Sequence, residues 1–190
     1  ANSSDTCKPC PAGTYSDKEG TNSLEGCIKC KRGTYSTTTG ATSETSCLDC
    51  PPGTYNEIEG AYNESFCIPC PAGYYSEVTG LGNNDCMPCP AGTYSTIVGA
   101  NNSNVCIPCE PGTFSEIQGA NSSEACIPCP LGYYSSVEGA NSSKICIPCE
   151  RGKYSITEKA NNESFCISCP PSTYSETLGA AGNDSCIKCP

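Results

Sequence analysis

A pair of cysteines separated by two residues recurs along the whole chain at an almost constant interval. The pairs begin at Cys7, Cys27, Cys47, Cys67, Cys86, Cys106, Cys126, Cys146, Cys166 and Cys186, and every step is 20 residues except one of 19. A short fixed period marks a repeat architecture, in which each unit is too small to bury a face alone and leans on its neighbours. The apolar content makes the same demand. Leu, Ile, Val and Phe supply only about an eighth of the residues, and the net charge is −10. Taken alone, those values describe a disordered polypeptide. The 20 cysteines reverse that reading, because cross-links hold a chain that has no room for a conventional core. The expected fold is small, disulfide-rich and mainly β or irregular, an elongated rod of tandem cysteine-rich hairpins of about 20 residues. Over residues 1–190 it forms one array of nine to ten repeats, each starting near one of the cysteine pairs.

Structural cystine at this density belongs to an oxidising compartment, so the segment is expected outside the cell or on its surface. No apolar run reaches the length of a bilayer span or of a signal-peptide core. An acidic chain without clustered Lys or Arg is unsuited to nucleic acid or anionic lipid.

The consensus is C-I-P-C-P-x-G-T-Y-S-E-x-x-G-A-N-x-S-x-x. In Cys10-Pro11-Ala12-Gly13, proline suits position i+1 and glycine i+3 of a type I turn. Thr-Tyr-Ser reads as a short strand. The aromatic recurs at Tyr15, Tyr35, Tyr55, Tyr75, Tyr94, Phe114, Tyr134, Tyr154 and Tyr174. It is expected to pack on the disulfides and on the Ile that follows the first cysteine of most pairs. A second glycine marks the hairpin loop. Lys159 replaces it once, and Ser172 once replaces the first glycine.

The string C-x-x-C-P-x-G-T-Y-S, followed by G-A and the next C-x-x-C, resembles the ephrin-receptor-like cysteine-rich repeats, similar in turn to the first half-modules of tumour necrosis factor receptors. The resemblance covers essentially the whole chain. Such arrays occur in receptors, in secreted matrix proteins and in many protist surface proteins.

The spacing C-x2-C-x16-C-x2-C also fits a zinc template. The absence of His and the export-type composition favour cystine. No metal or other cofactor is expected. A bridge inside one C-x-x-C closes a small strained ring, whereas joining the second cysteine of one pair to the first of the next closes each C-P-x-G-T-Y loop. The resemblance implies the latter: Cys10 to Cys27, Cys30 to Cys47, Cys50 to Cys67, Cys70 to Cys86, Cys89 to Cys106, Cys109 to Cys126, Cys129 to Cys146, Cys149 to Cys166 and Cys169 to Cys186. Each bridge would contribute about 3 kcal/mol in the chain-entropy model. Cys7 and Cys189 remain. The chain opens inside a repeat at Ala1-Asn2-Ser3-Ser4 and closes after a pair at Pro190, so a window on a longer array is expected, with both cysteines bonded to repeats outside it. Two free thiols are the alternative.

Asn-x-Ser sequons occur at Asn2, Asn63, Asn101, Asn121, Asn141, Asn162 and Asn183, three to five residues before the first cysteine of a pair. They are read as one phase of the repeat and as N-glycosylation sites on exposed loops. Asn22 lacks the hydroxyl residue, and the 19-residue copy offers only Asn84-Asp85-Cys86.

No catalytic constellation is expected. There is no His to act as a base, and the carboxylates are scattered one or two per repeat. Glu57, Glu116 and Glu138 read as solvated charges. Two functions fit. The favoured one is a structural, N-glycosylated extracellular stalk or filament component, as of a protist or algal surface appendage, associating with itself or with other structural glycoproteins. The alternative is a receptor-type ectodomain that captures a protein ligand. A receptor needs contact loops that differ, with aromatic or Arg anchors. Here "GANSSEAC" and "GANSSKIC" nearly repeat one another, and Arg occurs only at Arg32 and Arg151.

Overall fold

The computed structural model describes residues 8–18 and 24–190. It divides into two units, one ending at Met87 and taking in Ile97–Val105, the other made of Pro88–Thr96 and Cys106–Pro190. In the first, Thr14–Tyr15 pairs antiparallel with Ile28–Lys29, Thr34–Tyr35 with Leu48–Asp49 and Thr54–Tyr55 with Ile68–Pro69. In the second, Thr93–Tyr94 pairs with Ile107–Pro108, Thr113–Phe114 with Ile127–Pro128 and Tyr133–Tyr134 with Ile147–Pro148. Lys153–Tyr154 then pairs with Ile167–Ser168 and Thr173–Tyr174 with Ile187–Lys188. The described residues contain no α-helix, and the other regular elements are single 3-10 turns such as Glu64–Phe66 and Ser143–Ile145. This is a small, disulfide-rich fold of tandem hairpins.

The turn that opens each hairpin sits one residue further along than the type I reading placed it. Thr54 donates its amide to the Pro51 carbonyl at 3.2 Å, and Gly53, at the third turn position, has φ +83°. A positive φ there is the type II arrangement, which glycine adopts without steric cost. Only the carbonyl of the first residue is used, which is why Glu110 replaces proline and still accepts from the Thr113 amide at 3.1 Å.

Three main-chain bonds join one hairpin to the next. Gly92 donates to the Ser115 carbonyl at 2.8 Å, Ser95 to Ala120 at 3.0 Å, and Gly119 returns a bond to Cys89 at 2.8 Å. The first unit repeats the scheme, with Gly33 to Asn56, Ser36 to Ala61 and Gly60 to Cys30. Backbones this close exclude large side chains. The core is accordingly the second cysteine of most pairs, the Ala after the loop glycine and the Ser after the aromatic, as with Cys109, Ala140 and Ser115. Asn56 stands in for that serine and is fully buried. Its amide donates to the Thr34 and Ile58 carbonyls at 3.1 and 3.2 Å and accepts from the Ile58 amide at 2.9 Å.

The recurrent aromatic lies beside this core rather than within it. Tyr94 and its counterparts are half-buried in most repeats, and Tyr174 is exposed. The ring residue lies cross-strand from the isoleucine, Tyr94 opposite Ile107, yet Ile107 keeps 46 % of its surface open to water. Both belong to an outer face because the inter-repeat seam has no volume for them.

The two glycines differ in how strictly they are needed. A Cβ on Gly53 would lie 2.3 Å from the Gly99 carbonyl oxygen, whereas one on Gly99 would meet the Pro69 Cβ at 3.4 Å. The loop position thus requires mainly the left-handed backbone, and Lys159 adopts it at φ 57°. Ser172 holds φ 63° at the turn position, so the repeat imposes its dihedral on both replacements. Gly99→Ala should cost about 1 kcal/mol, the strain of a positive φ. Gly53→Ala should cost at least about 3 kcal/mol, because backbone must move as well. Guanidinium unfolding of the oxidised protein measures both, and equal losses would show that conformation alone matters.

Candidate functional site

The features that chemistry or a partner could use are the cystines and the asparagine loops. The structure joins Cys10–Cys27, Cys30–Cys47, Cys50–Cys67 and Cys70–Cys86 in the first unit. In the second it joins Cys89–Cys106, Cys109–Cys126, Cys129–Cys146, Cys149–Cys166 and Cys169–Cys186. Sulfurs engaged in this way have no thiolate to offer a zinc ion. Cys189 is exposed and has no disulfide partner among the described residues. Cys7, Asn2 and Asn22 lie outside the described residues.

Among the described residues, each sequon stands at or beside a 3-10 turn that leads into the first cysteine of a pair. The one-phase reading does not survive in detail. Asn63 and Asn162 are themselves the N-caps of Glu64–Phe66 and Glu163–Phe165. Asn121 and Asn141 precede the cap, which is Ser122 or Ser142. Asn101 likewise precedes Asn102, whose Oδ1 accepts from the Asn104 amide at 3.0 Å. Asn183 is the first residue of Asn183–Ser185, behind Gly182. Where the turn is capped, the oxygen lies two residues ahead of a turn amide and Ser or Asn supplies it equally well, while Asn183–Ser185 forms behind Gly182 without one. The sequon is free to slide by a residue on either side. In the 19-residue copy, Leu81 to Asp85 forms no 3-10 turn, and Asn83 and Asn84 are exposed.

The capping geometry leaves the attachment atom available. Asn63 Oδ1 accepts from the Ser65 amide at 2.9 Å and from the Ser65 hydroxyl; Asn162 does the same with Ser164. Neither capping bond uses Nδ2, so a sugar on that nitrogen preserves the cap; at Asn162 the same nitrogen also donates to Asn161 Oδ1 at 2.8 Å. Asn101, Asn121, Asn141, Asn162 and Asn183 are exposed and Asn63 is half-buried.

Acidic side chains brace some loops from the preceding repeat, a role that sequence reasoning missed for Glu116. Its Oε1 accepts from the Ser143 amide at 3.0 Å and from the Ser143 hydroxyl at 3.1 Å. Glu77 accepts from the Ser103 amide at 3.2 Å. The available signal was a Ser-Glu dipeptide placed 26 or 27 residues before a loop serine. The Ser143 amide, then its hydroxyl, hold the Glu116 carboxyl below its ordinary value of 4.5, with Lys144 adding to the effect. Lys153 bonds Glu163 at 2.9 Å, and that hydrogen bond raises the Lys153 ammonium above its ordinary value.

Disulfide-closed hairpins of about 20 residues, stacked through their backbones, define a cysteine-rich repeat module. The family described as tyrosine-protein kinase ephrin type A/B receptor-like matches at residues 1–47, 20–67, 63–106 and 100–145, and the chain belongs to it. No curated protein matches the chain. The repeats and cystines suggest an extracellular structural or receptor-like module. Among the described residues no helix is long and apolar enough to cross a membrane.

The Glu116 brace is complete only while the carboxylate is charged. Because the folded state lowers its pKa, its contribution is present above the ordinary value and lost as pH falls through the lowered one. Carbon-detected NMR titration should find Glu116 below the ordinary carboxylate value of 4.5, and Ser143→Ala should raise it. A Glu116 titration that Ser143→Ala leaves unchanged would remove the brace.

Proposed function

We propose that the array is a non-catalytic, N-glycosylated structural element of the cell exterior, a stalk or filament component that associates with itself or with other structural glycoproteins. The observation that carries this reading is the uniform placement of Asn101, Asn121 and Asn141, each exposed one residue ahead of a capped 3-10 turn in successive repeats. A coat has work to do on such a surface. Isoleucine recurs in the open at Ile107, Ile127 and Ile147, 46 to 48 % exposed, and short hairpins present unpaired edges. A charge of −10 spread over 190 residues is screened within about 10 Å at 0.1 M salt. Sugars on the turns would keep neighbouring copies from adhering laterally. In this reading Cys7 and Cys189 bond to further repeats. The family's receptor-like description supports the alternative, a receptor-type ectodomain that captures a protein ligand.

Negative-stain imaging of native material separates the two, long regular fibres favouring the structural reading and isolated particles with a bound protein the receptor. Site-resolved mass spectrometry should find sugar at most of Asn63, Asn101, Asn121, Asn141, Asn162 and Asn183. Enzymatic deglycosylation should then promote bundling without unfolding, since the cystines remain. Bare asparagines throughout would refute the coat, and unfolding on deglycosylation would show that the sugars carry stability instead.

A further inference from the structure

At one place in the second unit, residues from different repeats combine to open a site. A groove of about 290 Å³ is lined by Tyr94, Glu110, Thr113, Ser123, Cys126 and Lys159. Two of these break the repeat. Glu110 stands where most copies carry proline, and Lys159 stands where the other copies carry glycine. Lys159 also holds φ 57°, a strained conformation for a side-chain-bearing residue and a pointer to use rather than economy.

The corresponding places further along are closed. Twenty residues on, Tyr133 replaces Thr113 and Gly179 replaces Lys159. There the Tyr133 ring lies against Gly179, only 2.8 Å from where a Cβ would sit. Forty residues on, Lys153 and Glu163 replace Thr113 and Ser123 and bridge at 2.9 Å. The short Thr113, itself buried, leaves the groove unfilled, and Lys159 gives it a wall.

Ser123 is the third residue of the sequon Asn121-Ser122-Ser123, and Asn121 is exposed. A sugar on Asn121 therefore leaves the chain within two residues of the groove. We propose that this groove seats the proximal sugar of the Asn121 glycan, a proposal that rests on the glycosylation reading above. Tyr94, half-buried, offers an aromatic ring to the C–H face of the sugar. The Glu110 carboxylate accepts from sugar hydroxyls, and the Lys159 ammonium and Ser123 hydroxyl donate to sugar oxygens. The volume is at the lower bound of small-molecule sites, roughly 300 Å³, which suits one ring and not an extended ligand. The Asn121 glycan is thereby held against the protein while that of Asn141 swings free.

The test compares those two glycans on one molecule. The native, oxidised glycoprotein is digested with peptide-N-glycosidase, and release is followed at each asparagine by mass spectrometry. Asn121 should be released about tenfold more slowly than Asn141, the protection that one or two hydrogen bonds provide. The double variant Lys159→Gly, Glu110→Pro restores residues that other repeats carry at these positions, so it folds, and it should bring Asn121 to the Asn141 rate. Equal rates in the unaltered protein would overturn the proposal, as would a difference that survives in the variant. Sugar at the other sequons but none at Asn121 would defeat the groove assignment alone. Absence of sugar at every sequon would defeat the glycosylation reading and the groove with it.

Discussion

Consecutive repeats approach so closely that their backbones hydrogen-bond directly, and the rest of the structure follows from that distance. A seam built from Gly92 to Ser115, Ser95 to Ala120 and Gly119 to Cys89 accepts nothing larger in cross-section than Cys, Ser, Ala or Asn. It satisfies buried main-chain groups without water. It also forgoes the large apolar burial on which most domains depend. A protein that makes this exchange needs covalent help, which one cystine per hairpin supplies by restricting the unfolded chain. Dense cysteine and scarce Leu, Val and Phe are two faces of one design.

The same seam explains which parts of the fold the sequence made legible. Periodicity located the hairpins because each copy must present the same turn glycine, buried alanine and buried serine to the next. The cysteine partners became readable through the family resemblance, since spacing alone left the zinc and ring alternatives standing. The tyrosine lies cross-strand from the isoleucine, as Tyr94 does from Ile107, yet reaches no more than half-burial, because a seam made of backbone has no place for a ring. The turn type was misread by one residue because proline and glycine suit either offset, and only the positive φ of Gly53 distinguishes them.

At the asparagine loops, sequence reasoning found the acceptors and missed their geometry. The cap of the 3-10 turn is an oxygen two residues ahead of an amide, and the sequon asparagine supplies it at Asn63 and Asn162 while Ser122, not Asn121, supplies it in its own loop. No pattern within one repeat could reveal the Glu116 brace or the groove near Asn121, because each joins residues from different repeats. Such contacts depend on how hairpins stack. They are also where nearly identical copies acquire individual character, through Lys159 and Glu110.

Amide hydrogen exchange on the oxidised protein tests the seam most directly. The account predicts the slowest exchange at Ser115, Ser135 and Ser155, whose amides donate to Ala140, Ala160 and Ala180 of the next repeat. Amides inside the 3-10 turns, such as those of Cys126 and Cys146, should exchange much faster although they too flank cystines. Serine amides that exchange as fast as those of the turns would contradict the account, since cross-links and not the backbone seam would then be holding the repeats together.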